Sequence, residues 1–201
     1  MDTASHLVIG LGLGAMSHMS PEIAGNPSLG LAVTLGTVIA SEIPDIDYIY
    51  QIKGTPAYLK NHRRWTHSVP AWFIWPSLIT LGLSLIFHGS PWGILWLWCF
   101  AAVLIHVGTD TLNTFGAVAL LPFSDKRLSI DVLQVFDPVL FASQSLGLFY
   151  GGPAPPHRAL YSSSLMLWFF CILPPNSPFG DKPFRQWSVW CGTAREMPAS
   201  A

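Results

Sequence analysis

The chain has 201 residues, a formal net charge of −1, 10% charged side chains and 51% hydrophobic ones, with a mean hydropathy of +0.43. Ordinary soluble domains carry roughly 25% charged residues, so this chain cannot clothe a water-soluble surface; disorder, which needs low hydrophobicity and high charge, is excluded as well. The near-neutral balance argues against a nucleic-acid-binding surface, and the three widely spaced cysteines (Cys99, Cys171, Cys191) form neither a disulfide framework nor a CxxC zinc knuckle. An integral membrane protein remains: an all-α, multi-pass transmembrane helical bundle of four to six segments, in contact with the lipid bilayer and with no nucleic-acid partner.

In chain order, Leu7–Met19 and Leu29–Ile43 are apolar and rich in Gly and Ala. They are short for full spans, but small residues allow helices to approach closely in lipid. Val69–His88 is the clearest span: its 20 positions hold no Asp, Glu, Lys or Arg and match the ~20 needed to cross a hydrocarbon core. Trp92–Gly108 follows after a turn-rich hinge, which predicts an antiparallel helical hairpin. Val132–Tyr150 and Leu160–Leu173 are further candidates. Residues 151–201 hold eight of the 17 prolines, and Pro174-Pro175-Asn176-Ser177-Pro178 is a breaker cluster. The expected organisation is therefore a membrane-embedded domain over 1–150, a further helix over 151–173, and a poorly structured, atypical tail over 174–201.

The acidic start Met-Asp-Thr-Ala-Ser-His is not that of a signal peptide. Lys53, Lys60, Arg63 and Arg64 lie between the second and third apolar segments, and Lys126 and Arg127 follow the fourth. The loops 20–27 and 88–91 contain neither Lys nor Arg. The positive-inside rule then puts loops 44–68 and 109–131 in the cytoplasm, in a cell (inner) membrane.

Ionisable groups in or beside membrane helices are costly, so their placement is informative. They fall in four clusters: Asp2 with His6; Pro44-Asp45-Ile46-Asp47; His62-Arg63-Arg64-Trp65-Thr66-His67-Ser68; and His106 through Asp110 to Asn113. If the first helix starts in the cytoplasm, all four lie at the cytoplasmic ends, whereas His18 and His88 fall at the opposite ends. His6, Asp45, Asp47, His67, His106 and Asp110 then converge on one face, which hydrophobic patterning does not require.

Imidazoles and carboxylates are the usual ligands of zinc and similar divalent ions. His106 and Asp110, at i and i+4, project from one helical face. Asp45 and Asp47 sit on a helix-ending turn, where they either bind or bridge metal or simply cap the helix. His62 and His67 are five apart and do not share a helical face, though a loop can aim both inward. Ser68, ahead of Val69-Pro70, is a candidate helix cap. Arg63 and Arg64 read equally as topology determinants and headgroup contacts. His67 alone also fits a hydrogen-bonded interfacial histidine, and His18, His88 and His157 have no assigned role.

At Asp2-Thr3-x-x-His6, Pro44-Asp45-Ile46-Asp47, His62-Arg63-x-x-Thr66-His67-Ser68 and His106-x-x-x-Asp110-x-x-Asn113-x-x-Gly116, the chain resembles the YdjM/YfhP-like family of membrane-bound metal-dependent hydrolases. Pro122-Phe123-Ser124 and Asp137-Pro138 also fit, so the resemblance covers about 1–150. It implies a distant similarity to zinc-dependent phospholipase C and hence phosphoester hydrolysis. One or two divalent ions, zinc first among them, would be held by His6, Asp45, Asp47, His67, His106 and Asp110. Asp47 or Asp2 would take the proton of an activated water, and Arg63 or Arg64 would neutralise a phosphoryl oxygen. His62, Thr66 and Asn113 would orient the ligands. A site opening at the membrane surface suits a phospholipid headgroup or an isoprenoid phosphate. The competing expectation is non-catalytic: a membrane scaffold or regulator, or a metal or proton transporter, although transport calls for polar groups throughout the bilayer depth.

Overall fold

The computed structural model describes residues 2–131 together with 141, 142, 145 and 146. The remainder of the expected segment Val132–Tyr150, all of Leu160–Leu173, the 174–201 tail, Asp137-Pro138 and His157 lie outside the described residues.

Helix α1 spans Thr3–Ser17 and starts where Asp2 turns the chain: its carboxylate accepts from the Ser5 amide at 3.3 Å and the Ser5 hydroxyl at 2.6 Å. A short helix, α2 (Pro21–Ala24), fills the turn to α3, Pro27–Glu42. There the Asn26 side chain caps the Leu29 amide at 3.1 Å, and Pro27 occupies the first turn, where its missing N–H costs nothing. The chain then tightens into an eleven-residue 3₁₀ segment, Ile43–Lys53, followed by α4, Thr55–Asn61, and a 3₁₀ turn, Trp65–His67. The expected hairpin is present as α5 (Val69–Ile86) and α6 (Trp92–Leu112). Ser68 stands at the N-cap of α5, but its hydroxyl donates to the Trp65 carbonyl at 2.6 Å and caps no helix amide. Among the described residues there is no strand, only an isolated antiparallel bridge between Ala117 and Leu128.

The chain is thus an all-α membrane bundle. Three helices are long and apolar enough to cross a membrane: Pro27–Lys53, Val69–Ile86 and Trp92–Leu112. At 1.5 Å per residue, α5 and α6 reach about 27 and 32 Å, close to the ~30 Å core. The 15 residues of α1 reach only about 22 Å.

Helix α3 lies at the centre, packed on α1, α5 and α6. Its contact with α1 is close because Gly10 and Gly14, four apart on one face of α1, bring no side chain to it. A Cβ on Gly14 would stand 2.9 Å from Thr34 Cγ2 and 3.1 Å from Thr34 Cα; one on Gly10 would stand 3.0 Å from the Thr37 carbonyl oxygen. Without a hydrophobic drive between helices in lipid, this van der Waals proximity is what holds them. On the other flank, Gly36 makes room for the Cys99 thiol of α6. The buried apolar core runs through Ile9, Leu13, Val33, Leu83, Leu95 and Val103.

A Gly14→Leu substitution drives a side chain into the α3 backbone, where no flexible neighbour can yield. It should destabilise the detergent-solubilised protein by about 1–3 kcal/mol, read as a lowered Tm, whereas Gly93→Leu, which meets nothing within 4 Å, should leave Tm unchanged.

Candidate metal centre

Four elements deliver the buried polar groups to one end of the bundle. The first turn of α1 carries His6, the 3₁₀ segment after α3 carries Asp45 and Asp47, the turn before α5 carries His67, and the last turns of α6 carry His106 and Asp110. Helix α6 continues past Gly108 to Leu112, so Asp110 shares a helical face with His106 as the i, i+4 spacing requires.

The orientation of each imidazole follows from what holds its far side. His106 Nδ1 meets the Ser41 carbonyl, which only accepts, so Nδ1 carries the hydrogen; in the neutral ring Nε2 then presents a lone pair to the interior. The Thr66 hydroxyl donates to Asp47 Oδ2 at 2.8 Å, which leaves its oxygen to accept from His67 Nδ1 at 3.0 Å. The interior atom of His67 is therefore also a bare Nε2. These two nitrogens face each other at 3.2 Å. His67 Nε2 also lies 3.1 Å from Asp110 Oδ2 and 3.6 Å from Asp45 Oδ1, while His106 Nε2 lies 3.5 and 3.6 Å from the same two atoms. His6 stacks on the His106 ring at 3.8 Å and places Nε2 3.2 Å from Asp110 Oδ1.

Lone pairs turned toward one another, with two carboxylate oxygens beside them, repel unless a proton or a metal ion lies among them. Zinc held at 2.0–2.1 Å by four ligands spaces them about 3.3–3.5 Å apart; the five separations that join His67 or His106 Nε2 to each other and to Asp45 and Asp110 run from 3.1 to 3.6 Å. Asp45 Oδ1 and His6 Nδ1 are buried with no hydrogen-bond partner among the described residues. The donor set, its spacing and its orphaned atoms fit a divalent ion. Burial lowers the His67 imidazole below its usual titration range, against the pull of Asp110, and keeps it a neutral donor.

Asp47 stands next to this cage, and its oxygens are engaged: His62 Nδ1 at 2.7 Å on Oδ1, and the Arg63 amide at 2.7 Å with Thr66 on Oδ2. Asp45, Asp47 and His62 form a second group whose donor atoms lie within 4.8 Å of one another. Arg63 is buried, with Nε 3.0 Å from Asp110 Oδ2. Its backbone is left-handed, φ 58°, a conformation costing a non-glycine residue about 1–3 kcal/mol. Bonds on both sides offset this: the amide to Asp47, and the carbonyl accepting from Val118 N at 2.8 Å. Asn113 is buried, and its Oδ1 accepts from the Phe115 amide at 2.9 Å, shaping the chain that leaves α6. Arg64 is turned to Asp125 at 2.9 Å, and Asp2 is bound up in the α1 cap. Among the described residues, these hydrogen bonds lead to Asp125 and Ser5, outside the cluster.

Three participants were not singled out from the sequence. The Ser41 carbonyl is a backbone group with no residue-type signal. Glu42, the one charged residue within Leu29–Ile43, has Oε1 buried without a hydrogen-bond partner among the described residues. Arg127 donates to the carbonyls of Gly116 and His62 at 3.1 and 3.2 Å, with its guanidinium 4.7 Å from the Phe115 ring centroid. Partial burial and the neighbouring charges of Arg63 and Arg64 lower its pKa.

Asp47→Ala strands the buried donors of His62, Arg63 and Thr66. It should lower stability by at least about 1–3 kcal/mol, the cost of one unsatisfied buried group; thermal unfolding in detergent measures this.

The sequence matches the model of the family described as YdjM inner membrane protein over residues 1–175, beyond the 1–150 covered by the motifs. It is similar to "Uncharacterized protein YfhP" of Bacillus subtilis (strain 168), with 36% identity over 174 residues, 86% of this chain and 53% of that protein. The chain thus spans about half the length of this relative. No solved structure matches. The protein belongs to the YdjM inner membrane protein family.

Proposed function

We propose that the protein is a membrane-embedded, metal-dependent hydrolase acting on a phosphoester, with its His/Asp centre at the cytoplasmic end of the bundle. The observation that carries this reading is the facing pair of His67 and His106 Nε2 atoms at 3.2 Å, beside His6, Asp45, His106 and Asp110, whose donor atoms all lie within 4.8 Å of one another. His6, Asp45, His106 and Asp110 would hold the ion, with His67 Nε2 a further donor 3.1 Å from Asp110 Oδ2. A divalent ion of the zinc class supplies Lewis acidity and lowers the pKa of water toward about 7.

The chain's own groups do the rest. Arg63 brings a buried positive charge to the edge of the cage, where charge accumulating on a phosphoryl oxygen needs neutralising. Asp47, its oxygens already engaged, positions Arg63, Thr66 and through it His67. Glu42, whose Oε1 has no hydrogen-bond partner among the described residues, joins Asp2 and Asp47 as a candidate carboxylate to take a proton. Lys53, Lys60, Arg63 and Arg64 in the loop before α5 support the cytoplasmic orientation.

Elemental analysis of the purified full-length chain should find stoichiometric divalent metal. His67→Ala and Asp110→Ala should lose both the metal and phosphoester hydrolysis. Metal in both variants, or none in the wild type, would contradict the reading, and a scaffold would carry none. Thr66→Val keeps every first ligand but frees the His67 ring, so metal affinity should fall by about 10–100-fold, measured by chelator competition.

A further inference from the structure

The 3₁₀ segment Ile43–Lys53 is buried on one stripe at its start, at Pro44 and Asp47, and exposed throughout from Tyr48 to Lys53. With three residues per turn, positions i and i+3 eclipse one another. Pro44 and Asp47 share one stripe and are buried toward the centre. Ile46, Ile49 and Ile52 share another, and they are 49%, 62% and 84% exposed. The element that brings Asp45 and Asp47 to the site thus carries an isoleucine ridge that faces outward and becomes more exposed away from α3.

Length says where this ridge lies. The 16 residues of α3 and the 11 of the 3₁₀ segment measure about 24 and 22 Å, together more than the ~30 Å hydrocarbon core. The segment therefore continues a membrane helix into the headgroup region. Its polar flanks suit that layer: Lys53 directly follows Ile52, its ammonium 5.9 Å from the Tyr50 ring, and exposed Lys60 lies on α4, which packs against the segment. Tyr48 and Tyr58 meet edge to face at 5.3 Å, and Tyr58 stacks on His62 at 4.5 Å. An aromatic wall thus leads from the outer face of the segment to the Asp47 partner.

We propose that the Ile46–Ile49–Ile52 ridge is bedded in the headgroup layer of an anionic bilayer leaflet, and that the His/Asp centre receives its substrate, a lipid phosphoester, from the plane of the membrane. Apolar side chains beside lysines and tyrosines are the composition that holds an element at an anionic lipid surface. The bedding of the ridge stands on its exposure, the segment's length and its Lys and Tyr flanks; the lipid substrate rests on the hydrolase reading above.

The test uses the full chain in vesicles of phosphatidylcholine and phosphatidylglycerol, with Cys171 and Cys191 changed to Ser and a bimane placed at I49C or I52C. Shallow nitroxide-labelled lipid should quench both labels at least about twofold more than aqueous iodide does, as for an element buried at the headgroup boundary. Stronger quenching by iodide, or quenching by neither, overturns the proposal; the second outcome means that protein covers the ridge. In a second arm, the I49E/I52E double variant should retain metal and hydrolyse a short-chain, water-soluble phosphoester at the wild-type rate while losing at least about tenfold on the same headgroup carried by vesicle lipid. Equal rates on both substrates overturn the lipid assignment. If neither protein hydrolyses either ester, the hydrolase reading fails, and the quenching still decides the position of the ridge.

Discussion

Two imidazole nitrogens 3.2 Å apart, each the acceptor of its ring when that ring is neutral, set the terms for this end of the bundle. Such an arrangement is unfavourable on its own in a low-dielectric interior. It persists where the surrounding scaffold holds it and a proton or a bound cation relieves it. Much of the local structure reads as that scaffold. The Ser41 carbonyl fixes His106, the Asp47–Thr66 pair fixes His67, and a left-handed Arg63 is pinned between Asp47 and Val118. The close α1–α3 approach seats Gly10 against Ser41, so helix packing and imidazole orientation are mechanically linked.

The segment after α6 contributes by folding back over the site. Ala117 and Leu128 pair, Ile130 N donates to the Thr111 carbonyl at 3.0 Å, and Val69 N donates to the Leu121 carbonyl at 3.1 Å. Gly116, at φ 65°, allows the turn, since a Cβ there would run into the Leu128 backbone. Arg127 then reaches the His62 carbonyl, tying the strap to the element that carries Arg63. These backbone bonds answer the need to satisfy peptide groups at the membrane boundary without regular structure.

The helices and the gathering of His6, Asp45, His67, His106 and Asp110 were legible in the sequence because the physics behind them is local. Apolar runs of membrane length announce spans, and an ionisable group in such a run needs a reason to be there. The i, i+4 spacing of His106 and Asp110 carried over directly. What stayed hidden depended on backbone or on tertiary contacts. Nothing about Ser41 as a residue signals that its carbonyl holds His106. Asp47 and Asp45 look alike in Pro-Asp-Ile-Asp, yet a 3₁₀ turn aims Asp47 at His62 and Arg63 and sends Asp45 to the two histidines. Neighbouring Arg63 and Arg64 likewise diverge, one inward to Asp110 and the other outward to Asp125. Glu42 stands in plain view in the sequence, but one acid at a helix end reads as a boundary.

The central claim is that the cluster of His6, His67, His106, Asp45 and Asp110 supplies four ligands to one divalent ion. X-ray absorption at the zinc K-edge, on the purified full-length chain loaded with one equivalent of zinc, addresses it directly. The account predicts four nitrogen or oxygen neighbours at about 2.0–2.1 Å, with the outer-shell scattering of two imidazoles. A six-oxygen shell without imidazole scattering, or zinc that washes away on desalting, would contradict it.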